Sequence, residues 1–156
     1  MSRPTMPNEY PDGSLEEAPP SPSTGALLDD LRAAGVAFDT TASVRADHGR
    51  DWWPLTIPDV ARGHVPLWPG VVVQPTSTEE VSRVLAIASN HRVALTAQGG
   101  RSSVVGGATA PTGAIALDLT GLNRILEIDT VSGTVSVEAG VFGPDLERAV
   151  RALGWT

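Results

Sequence analysis

A glycine-rich segment between two apolar runs holds the residues best suited to chemistry in this sequence. It reads Gln98, Gly99, Gly100, Arg101, Ser102, Ser103, Val104, Val105, Gly106 and Gly107. Adjacent glycines leave backbone N–H groups unscreened and permit the positive φ angles that turn successive amides toward one point. Ser102 and Ser103 add two hydroxyl donors, and Arg101 adds a permanent positive charge. Together these groups suit a diphosphate ligand.

This segment departs from both common phosphate motifs, because it matches neither G-x-x-x-x-G-K-[ST] nor G-x-G-x-x-G. On the residues alone, a phosphate-binding loop and a plain glycine turn are therefore equally supported. Farther toward the N-terminus, His48 lies among arginines and aspartates. A single histidine in a charged segment is a weak signal of acid–base chemistry, and we assign it a structural role.

Composition excludes several other kinds of chemistry. The net charge of −7 argues against a nucleic-acid partner, since proteins that bind nucleic acid present a basic face. The absence of cysteine and lysine excludes disulfides, zinc–thiolate sites, thiol catalysis and Schiff-base chemistry within this chain. No secretory signal is visible, and no apolar run approaches the ~20 residues that span a bilayer. We therefore expect a cytoplasmic protein without an integral membrane segment.

The chain divides into three parts by composition. Residues 1–23 are rich in proline, serine and acidic residues, and we predict a disordered leader because they bury too little apolar surface to offset the ordering entropy. Residues 24–68 form a short helix, capped by Thr24 and closed by Gly35, and then an irregular, proline-interrupted lead-in. Residues 69–156 carry the regular pattern.

Two short stretches of the second part are predicted to pack. One face of the short helix carries Leu27, Leu28 and Leu31. In the lead-in, Trp52 and Trp53 are predicted to serve as packing anchors rather than as a surface for substrate.

From residue 69 onward, the pattern predicts alternating strands and helices. We expect helices near 77–90 and 144–153, and strands near 71–75, 93–96, 115–119, 124–129 and 134–139. The first strand, the first helix and the second strand form a β-α-β unit, whose parallel pairing requires a right-handed crossover. The order β-α-β-β-β-α belongs to the α+β class.

Side chains of both helices can be assigned to a cap or to a buried face. Two overlapping capping boxes begin the first helix, Thr76 with Glu79 and Ser77 with Glu80. Core-facing spacing in this helix predicts burial of Val81, Val84, Leu85 and Ala88. In the second helix, the predicted buried stripe consists of Leu146, Ala149, Val150 and Leu153.

The run from Pro69 to Thr156 resembles the first half of the flavin-binding domain of the vanillyl-alcohol-oxidase type, also called the PCMH type. The glycine-rich segment is similar to that family's Pro-x-Gly-Gly-Gly-Thr-Ser stretch, with Ala97 for the proline, Arg101 for the third glycine and Ser102 for the threonine. Other similar stretches follow in family order: Val-Val-x-Pro at 72–75, Ser-x-Glu-Glu-Val at 77–81, Leu-Asn-Arg-Ile-Leu at 122–126, Val-Glu-Ala-Gly at 137–140 and Gly-Pro-Asp-Leu-Glu at 143–147.

This resemblance implies that FAD is the cofactor. The residues implied to hold its pyrophosphate are Ala97, Gln98, Gly99, Gly100, Arg101, Ser102 and Ser103. Family members that attach flavin through a histidine of this loop place that histidine where Arg101 stands, so non-covalent FAD is expected. The family's second phosphate loop and its substrate domain, with the catalytic residues, are expected to follow residue 156. The chain is thus interpreted as an N-terminal fragment of the domain without a catalytic residue of its own.

Within this family, the chain most resembles alkylglycerone-phosphate synthases, followed by members that oxidise D-lactate or glycolate. The implied activity of the complete protein is flavin-dependent oxidation of a 2-hydroxy acid or alkylglycerone-phosphate synthase-like chemistry, in either case on a small-molecule substrate. Two alternatives stay open at this point. One is a non-catalytic binding or interaction module that keeps the scaffold without a working flavin, and the other is an inactive truncated product.

Overall fold

The computed structural model describes Ala18 and residues 25–155 of the chain. The predicted leader, apart from Ala18, and the helix cap at Thr24 lie outside the described residues. The predicted mixture of helices and sheets is confirmed over the rest.

A four-stranded sheet forms the centre of the fold. Its strands are β1 (Phe38–Asp39), β2 (Val71–Val73), β3 (Leu95–Gln98) and β4 (Ile115–Asp118), in the spatial order β1-β2-β4-β3. Both β2 and β3 pair parallel with β4, whereas β1 pairs antiparallel with β2. The two strands of the predicted β-α-β unit are therefore parallel but not neighbours. Since every residue of β4 is buried, this strand needs a partner on each side, and β3 becomes the edge.

Both faces of β2 are buried, which explains its uninterrupted valines. On one face, helices α1 (Gly25–Ala33) and α4 (Thr78–His91) cover the apolar side chains. That cluster contains Leu27, Leu31, Val36, Val71, Val73, Val84, Ala88, Ile115 and Leu117. On the other face, helix α2 (Ala42–His48) brings Val44 against Val72, Ala110 and Ala116. The predicted burial of Leu27 and Leu31 is confirmed, and Leu28 is partly buried.

Helix α4 begins and ends through local hydrogen bonds. The Ser77 hydroxyl accepts from the Glu80 N–H at 3.2 Å, as one predicted capping box requires. The Glu80 carboxylate reaches back to the Thr76 N–H at 2.7 Å, so Glu80 rather than Glu79 is the partner of Thr76. Leu85, predicted to face the core, is 48% exposed. It lies about 100° around the helix from Val84, outside the narrow stripe that this helix buries.

The second strand begins later than predicted. Arg92 is left-handed, with φ 54°, and the Val93 N–H bonds back to the Ala88 carbonyl. Because the Val93 N–H belongs to this C-terminal cap, it is not part of the sheet. Strand β3 therefore runs from Leu95 to Gln98 instead of near 93–96. The third predicted strand ends at Asp118, and a 3₁₀ turn, Leu119–Gly121, takes the following residues.

The lead-in contains more regular structure than its prolines suggested. Besides β1 and α2, it forms the helix α3 (Ile57–Ala61). Pro58 lies in the first turn of α3, where the missing N–H leaves no helical hydrogen bond unmade. The prolines therefore limit the length of these helices without excluding them.

The strands predicted near 124–129 and 134–139 and the last helix are confirmed, but full burial of the predicted stripe of that helix is not. Strands β5 (Ile125–Asp129) and β6 (Thr134–Val137) pair antiparallel in a separate sheet, and helix α5 spans Gly143–Arg151. No residue of α5 is fully buried, and Leu153 and Val137 are exposed. Leu146, Ala149 and Val150 of the predicted stripe are partly buried, so the stripe is only partly covered.

Candidate cofactor-binding site

The glycine-rich segment follows β3 at the carboxyl edge of the parallel strands, where open α/β sheets bind ligands. Buried polar side chains occupy the same edge. Gln98 ends β3 and Asp118 ends β4, and both are almost fully buried. The Gln74 amide, just after β2, donates to the Asp118 carboxylate at 3.1 Å. The three parallel strands therefore end in a connected polar layer beneath the loop.

His48 closes this layer from α2. Its Nδ1 lies 2.9 Å from the Val44 carbonyl, and its Nε2 lies 3.3 Å from Asp118 Oδ2. A carbonyl can only accept, so Nδ1 carries a proton. The ring is 2% exposed and joins a helix to the end of a strand, which agrees with the structural role predicted for it.

Gly99 and Gly100 do not adopt the positive φ angles that the sequence suggested. The left-handed residue of the loop is Arg101, with φ 52°. Space restricts a side chain at Gly100, whereas a Cβ at Gly99 would make only an ordinary van der Waals contact. A Cβ on Gly100 would lie 3.2 Å from Phe142 Cε1, and one on Gly99 would lie 3.6 Å from the Ala139 carbonyl oxygen.

Arg101 directs its charge toward α2 and not outward. Its guanidinium donates to Asp47 Oδ2 at 2.5 Å, and its side chain is only 10% exposed. The other carboxylate oxygen of Asp47 accepts from Arg50 at 3.2 Å. Arg101 Nε is buried and has no hydrogen-bond partner among the described residues. This N–H is therefore enclosed together with the ion pair to Asp47.

The two serines of the loop have different surroundings. The Ser103 hydroxyl accepts from the Gly107 N–H at 3.1 Å, and the Ser103 carbonyl accepts from the Trp52 N–H at 2.9 Å. Ser103 therefore braces the loop. Ser102 is exposed, as is Gly100. The solvent-facing side of the loop thus presents a hydroxyl group and a backbone without a side chain.

The lead-in supports the loop through several contacts that local sequence patterns do not reveal. The Gln98 amide donates to the His48 carbonyl at 2.8 Å and to the Ala108 carbonyl at 2.7 Å. Asp51 accepts from the Ala108 N–H at 3.3 Å. Trp53 lies against Gly106, where a Cβ would approach its ring to 3.1 Å. The predicted anchoring by this tryptophan is therefore directed at the loop itself.

The contacts of this loop fit a diphosphate-binding loop better than they fit a plain glycine turn. The Arg101 guanidinium lies beside the loop and is held there by Asp47, which also accepts from Arg50. Beside them lie an exposed hydroxyl and a glycine pair close to the surface. A phosphate group is recognised by this combination of amides, hydroxyls and a guanidinium.

Comparison with known proteins identifies the family. The sequence profile of the FAD binding domain matches residues 69–156. This chain belongs to that family. The resemblance to FAD-binding domains of the PCMH type, the α+β fold and FAD as the cofactor are thereby confirmed. Among the described residues, no helix is long and apolar enough to cross a membrane.

Several known proteins are similar to this chain in sequence. Glycolate oxidase subunit GlcD of Bacillus subtilis (strain 168) is 38% identical over 86 residues, which cover 55% of this chain and 18% of that protein. Alkyldihydroxyacetonephosphate synthase of Caenorhabditis elegans is 28% identical over 134 residues, which cover 83% of this chain and 22% of that protein. The chain therefore spans about a fifth of the length of these two relatives.

A solved structure of alkyldihydroxyacetonephosphate synthase has the same fold, with a TM-score of 0.80 and 24% sequence identity. The superposed region covers 90% of this chain and 27% of that structure. It thus extends beyond residues 69–156 into the N-terminal elements that support the loop.

Proposed function

We propose that this chain forms the part of a flavin-dependent oxidoreductase that holds the FAD pyrophosphate, and that residues 97–103 are the holding loop. The position of this loop carries the proposal. It lies within the matched FAD binding domain, at the carboxyl edge of three parallel strands, and its outer side carries no acidic residue.

Each residue of the loop has a distinct part in this proposal. Gly99 and Gly100 let the phosphate oxygens approach the backbone amides, and Ser102 offers its exposed hydroxyl. Arg101 offers the positive charge of its guanidinium beside the loop, while the buried amide of Gln98 fixes the start of the loop. Ala97 and Ser103 complete the loop, Ser103 as its brace. When bound, FAD supplies a ring system that accepts a hydride. We propose that it is bound non-covalently, because an arginine occupies position 101.

For the complete protein, we propose chemistry on a small molecule. The 38% identity to a glycolate oxidase subunit supports oxidation of a 2-hydroxy acid. The longer match to alkyldihydroxyacetonephosphate synthase supports synthase-like chemistry as a second candidate, because it includes the N-terminal elements around the loop. In neither case does this chain contribute a catalytic acid or base in our proposal. The predicted cytoplasmic location stays a prediction.

We also propose that further polypeptide completes the FAD site. The chain spans about a fifth of its relatives, and the apolar stripe of α5 is not fully buried. By itself, the chain would contact the diphosphate from one side only. We therefore propose residues 69–156 as the first part of the domain, residues 24–68 as the lead-in that supports its loop, and residues 1–23 as a leader.

Nuclear magnetic resonance titration tests the holding loop directly. In the ¹⁵N-labelled chain, FAD and ADP should both shift the amide signals of residues 99–103, because both carry a diphosphate. Riboflavin, which lacks phosphate, is the matched control and should leave these signals in place. No shift at 99–103 with millimolar FAD would overturn the proposal and favour a scaffold that does not bind flavin.

A further inference from the structure

The carboxylate of Asp47 joins two arginines that lie on different parts of the chain. It accepts from Arg101 of the loop at 2.5 Å and from Arg50 at 3.2 Å. Asp47 belongs to α2 and lies outside the residues that match the FAD binding domain. Its side chain is 36% exposed, whereas those of Arg50 and Arg101 are 2% and 10% exposed. The carboxylate is thus the outward end of a cluster that is otherwise enclosed.

Arg101 needs such a partner because of its backbone. Its φ of 52° is the left-handed region, which a residue with a Cβ occupies at a cost and glycine occupies freely. In the Pro-x-Gly-Gly-Gly-Thr-Ser stretch that the loop resembles, a glycine stands here. A side chain fixed by an ion pair can hold the backbone in the conformation that glycine would otherwise adopt without help.

The direction of this ion pair also affects the ligand face. Arg101 lies back against α2 when it is bound to Asp47, which leaves the solvent side of Gly99 and Gly100 open. Without the ion pair to Asp47, the long side chain of Arg101 would be free to lie across the amides of Gly99 and Gly100. Asp47 also accepts from Arg50, so one carboxylate holds two guanidinium groups beside the loop.

We propose that Asp47 is a positioning residue for FAD. Its carboxylate anchors the left-handed Arg101 to α2, and this keeps the amides of residues 99–103 directed at the diphosphate. The inference rests on the proposed function of the loop. It assigns to the lead-in a binding role that residues 69–156 alone do not contain.

A double-mutant cycle tests the proposal in the full 156-residue chain. Asp47→Asn should weaken FAD about tenfold in the titration described above, since it removes a charge-assisted bond of the loop. It should also speed hydrogen exchange of the amides of residues 99–107 while exchange in α4 stays unchanged. In an Arg101→Gly background, Asp47→Asn should have no further effect on either measurement, because glycine takes the left-handed conformation unaided.

Two further variants separate positioning from general stability. Asp59→Asn is the matched control, because Asp59 is 37% exposed and also pairs with a nearby arginine, at 3.5 Å from Arg62. It should change neither affinity nor loop exchange. Asp47→Glu, which keeps the charge, should recover most of the affinity that Asp47→Asn loses. If the asparagine form does not fold, Asp47→Ser, which also removes the carboxylate, takes its place.

The outcomes distinguish this proposal from the proposed function. Equal effects of Asp47→Asn in both backgrounds, or unchanged loop exchange, would overturn the positioning role even if FAD binds at residues 99–103. If FAD and ADP leave these amides unshifted in the wild-type chain, the proposed function fails. The exchange cycle would then still decide whether Asp47 holds the loop.

Discussion

Single residues shape the loop mainly through space and charge. Gly100 faces solvent on one side and Phe142 on the other, and its backbone is not left-handed. Arg101 holds the strained position, and Asp47 neutralises its charge. The role of each of these residues in ligand binding therefore depends on the side chains that contact it.

Replacing Gly100 with valine is expected to abolish FAD binding while most of the fold stays intact. The new side chain would stand beside the amides where phosphate oxygens must approach, and its Cβ would press on the Phe142 ring at 3.2 Å. Because that ring can shift, the cost in stability should stay near the lower end of the ~1–3 kcal/mol typical of overpacking. Flavin titration and thermal unfolding measure the two effects separately.

A valine at Gly143 is the matched control, since a Cβ there meets nothing within 4 Å. This variant should keep the affinity of the wild type. Unchanged FAD affinity in a folded Gly100→Val protein would remove the loop from the site.

The two loop serines should respond differently to alanine. Ser103→Ala removes the acceptor of the Gly107 N–H, so it should lower stability by about 0.5–1.5 kcal/mol and loosen the loop. Ser102→Ala removes an exposed hydroxyl, so it should reduce FAD affinity without changing the unfolding midpoint. Thermal melts and flavin titration of both variants check this contrast. A larger stability loss for Ser102→Ala than for Ser103→Ala would contradict it.

Among the elements, the β5–β6 hairpin depends most on local polar contacts. Hydrogen bonds from the Ser132 hydroxyl and from the N–H groups of Val131 and Ser132 hold the pKa of Asp129 below its usual 3.8. Hydrogen bonds from the side chain and backbone of Arg124 likewise hold the pKa of Glu138 below its usual 4.5. The first carboxylate closes the turn of the hairpin, and the second fixes the entry to β5.

The hairpin is therefore expected to lose stability in acid. Because both folded pKa values lie below the unfolded ones, the stabilisation is complete above the unfolded values and is lost as pH falls through the lowered ones. Protection of the amides of residues 125–137, that is, the ratio of their intrinsic to their observed exchange rate at the same pH, should fall below about pH 4. The double variant Asp129→Asn, Glu138→Gln should show a smaller pH dependence. An unchanged dependence in that variant would assign the acid sensitivity to other carboxylates.

At the scale of the whole molecule, the central sheet is covered on both faces, whereas the hairpin and α5 are only partly covered. The sheet is buried between α1 and α4 on one face and α2 on the other. The hairpin and α5 keep large apolar side chains exposed, namely Leu126, Val131, Val137, Leu153 and Trp155. Apolar surface of this kind favours association with further polypeptide.

The chain alone is consequently expected to hold FAD weakly and to associate at high concentration. A diphosphate contacted from one side stays half-solvated, and we expect a dissociation constant of roughly 0.1–1 mM, about −5.5 to −4 kcal/mol. Light scattering should show concentration-dependent growth that Leu153→Gln reduces. A purified chain that carries one tightly held flavin per molecule would contradict this expectation.

Much of the fold follows from interactions within a few residues, which a sequence displays directly. The cap of α4 by Ser77, the end of α1 at Gly35 and the turn between β5 and β6 all depend on neighbours along the chain. The resemblance of the glycine loop to the flavin-binding family is likewise carried by adjacent residues. These features could be predicted because local conformation and local sequence agree.

Tertiary structure alone decided which strands are neighbours and what supports the loop. β4 comes last along the chain among the strands of the central sheet, yet it lies between β2 and β3, where both of its hydrogen-bonding edges are paired and all of its residues are buried. Arg101 meets Asp47 across 54 residues, and no periodicity connects them. Burial and ion pairing depend on which residues lie close together in the folded protein, and these residues can be far apart in the sequence.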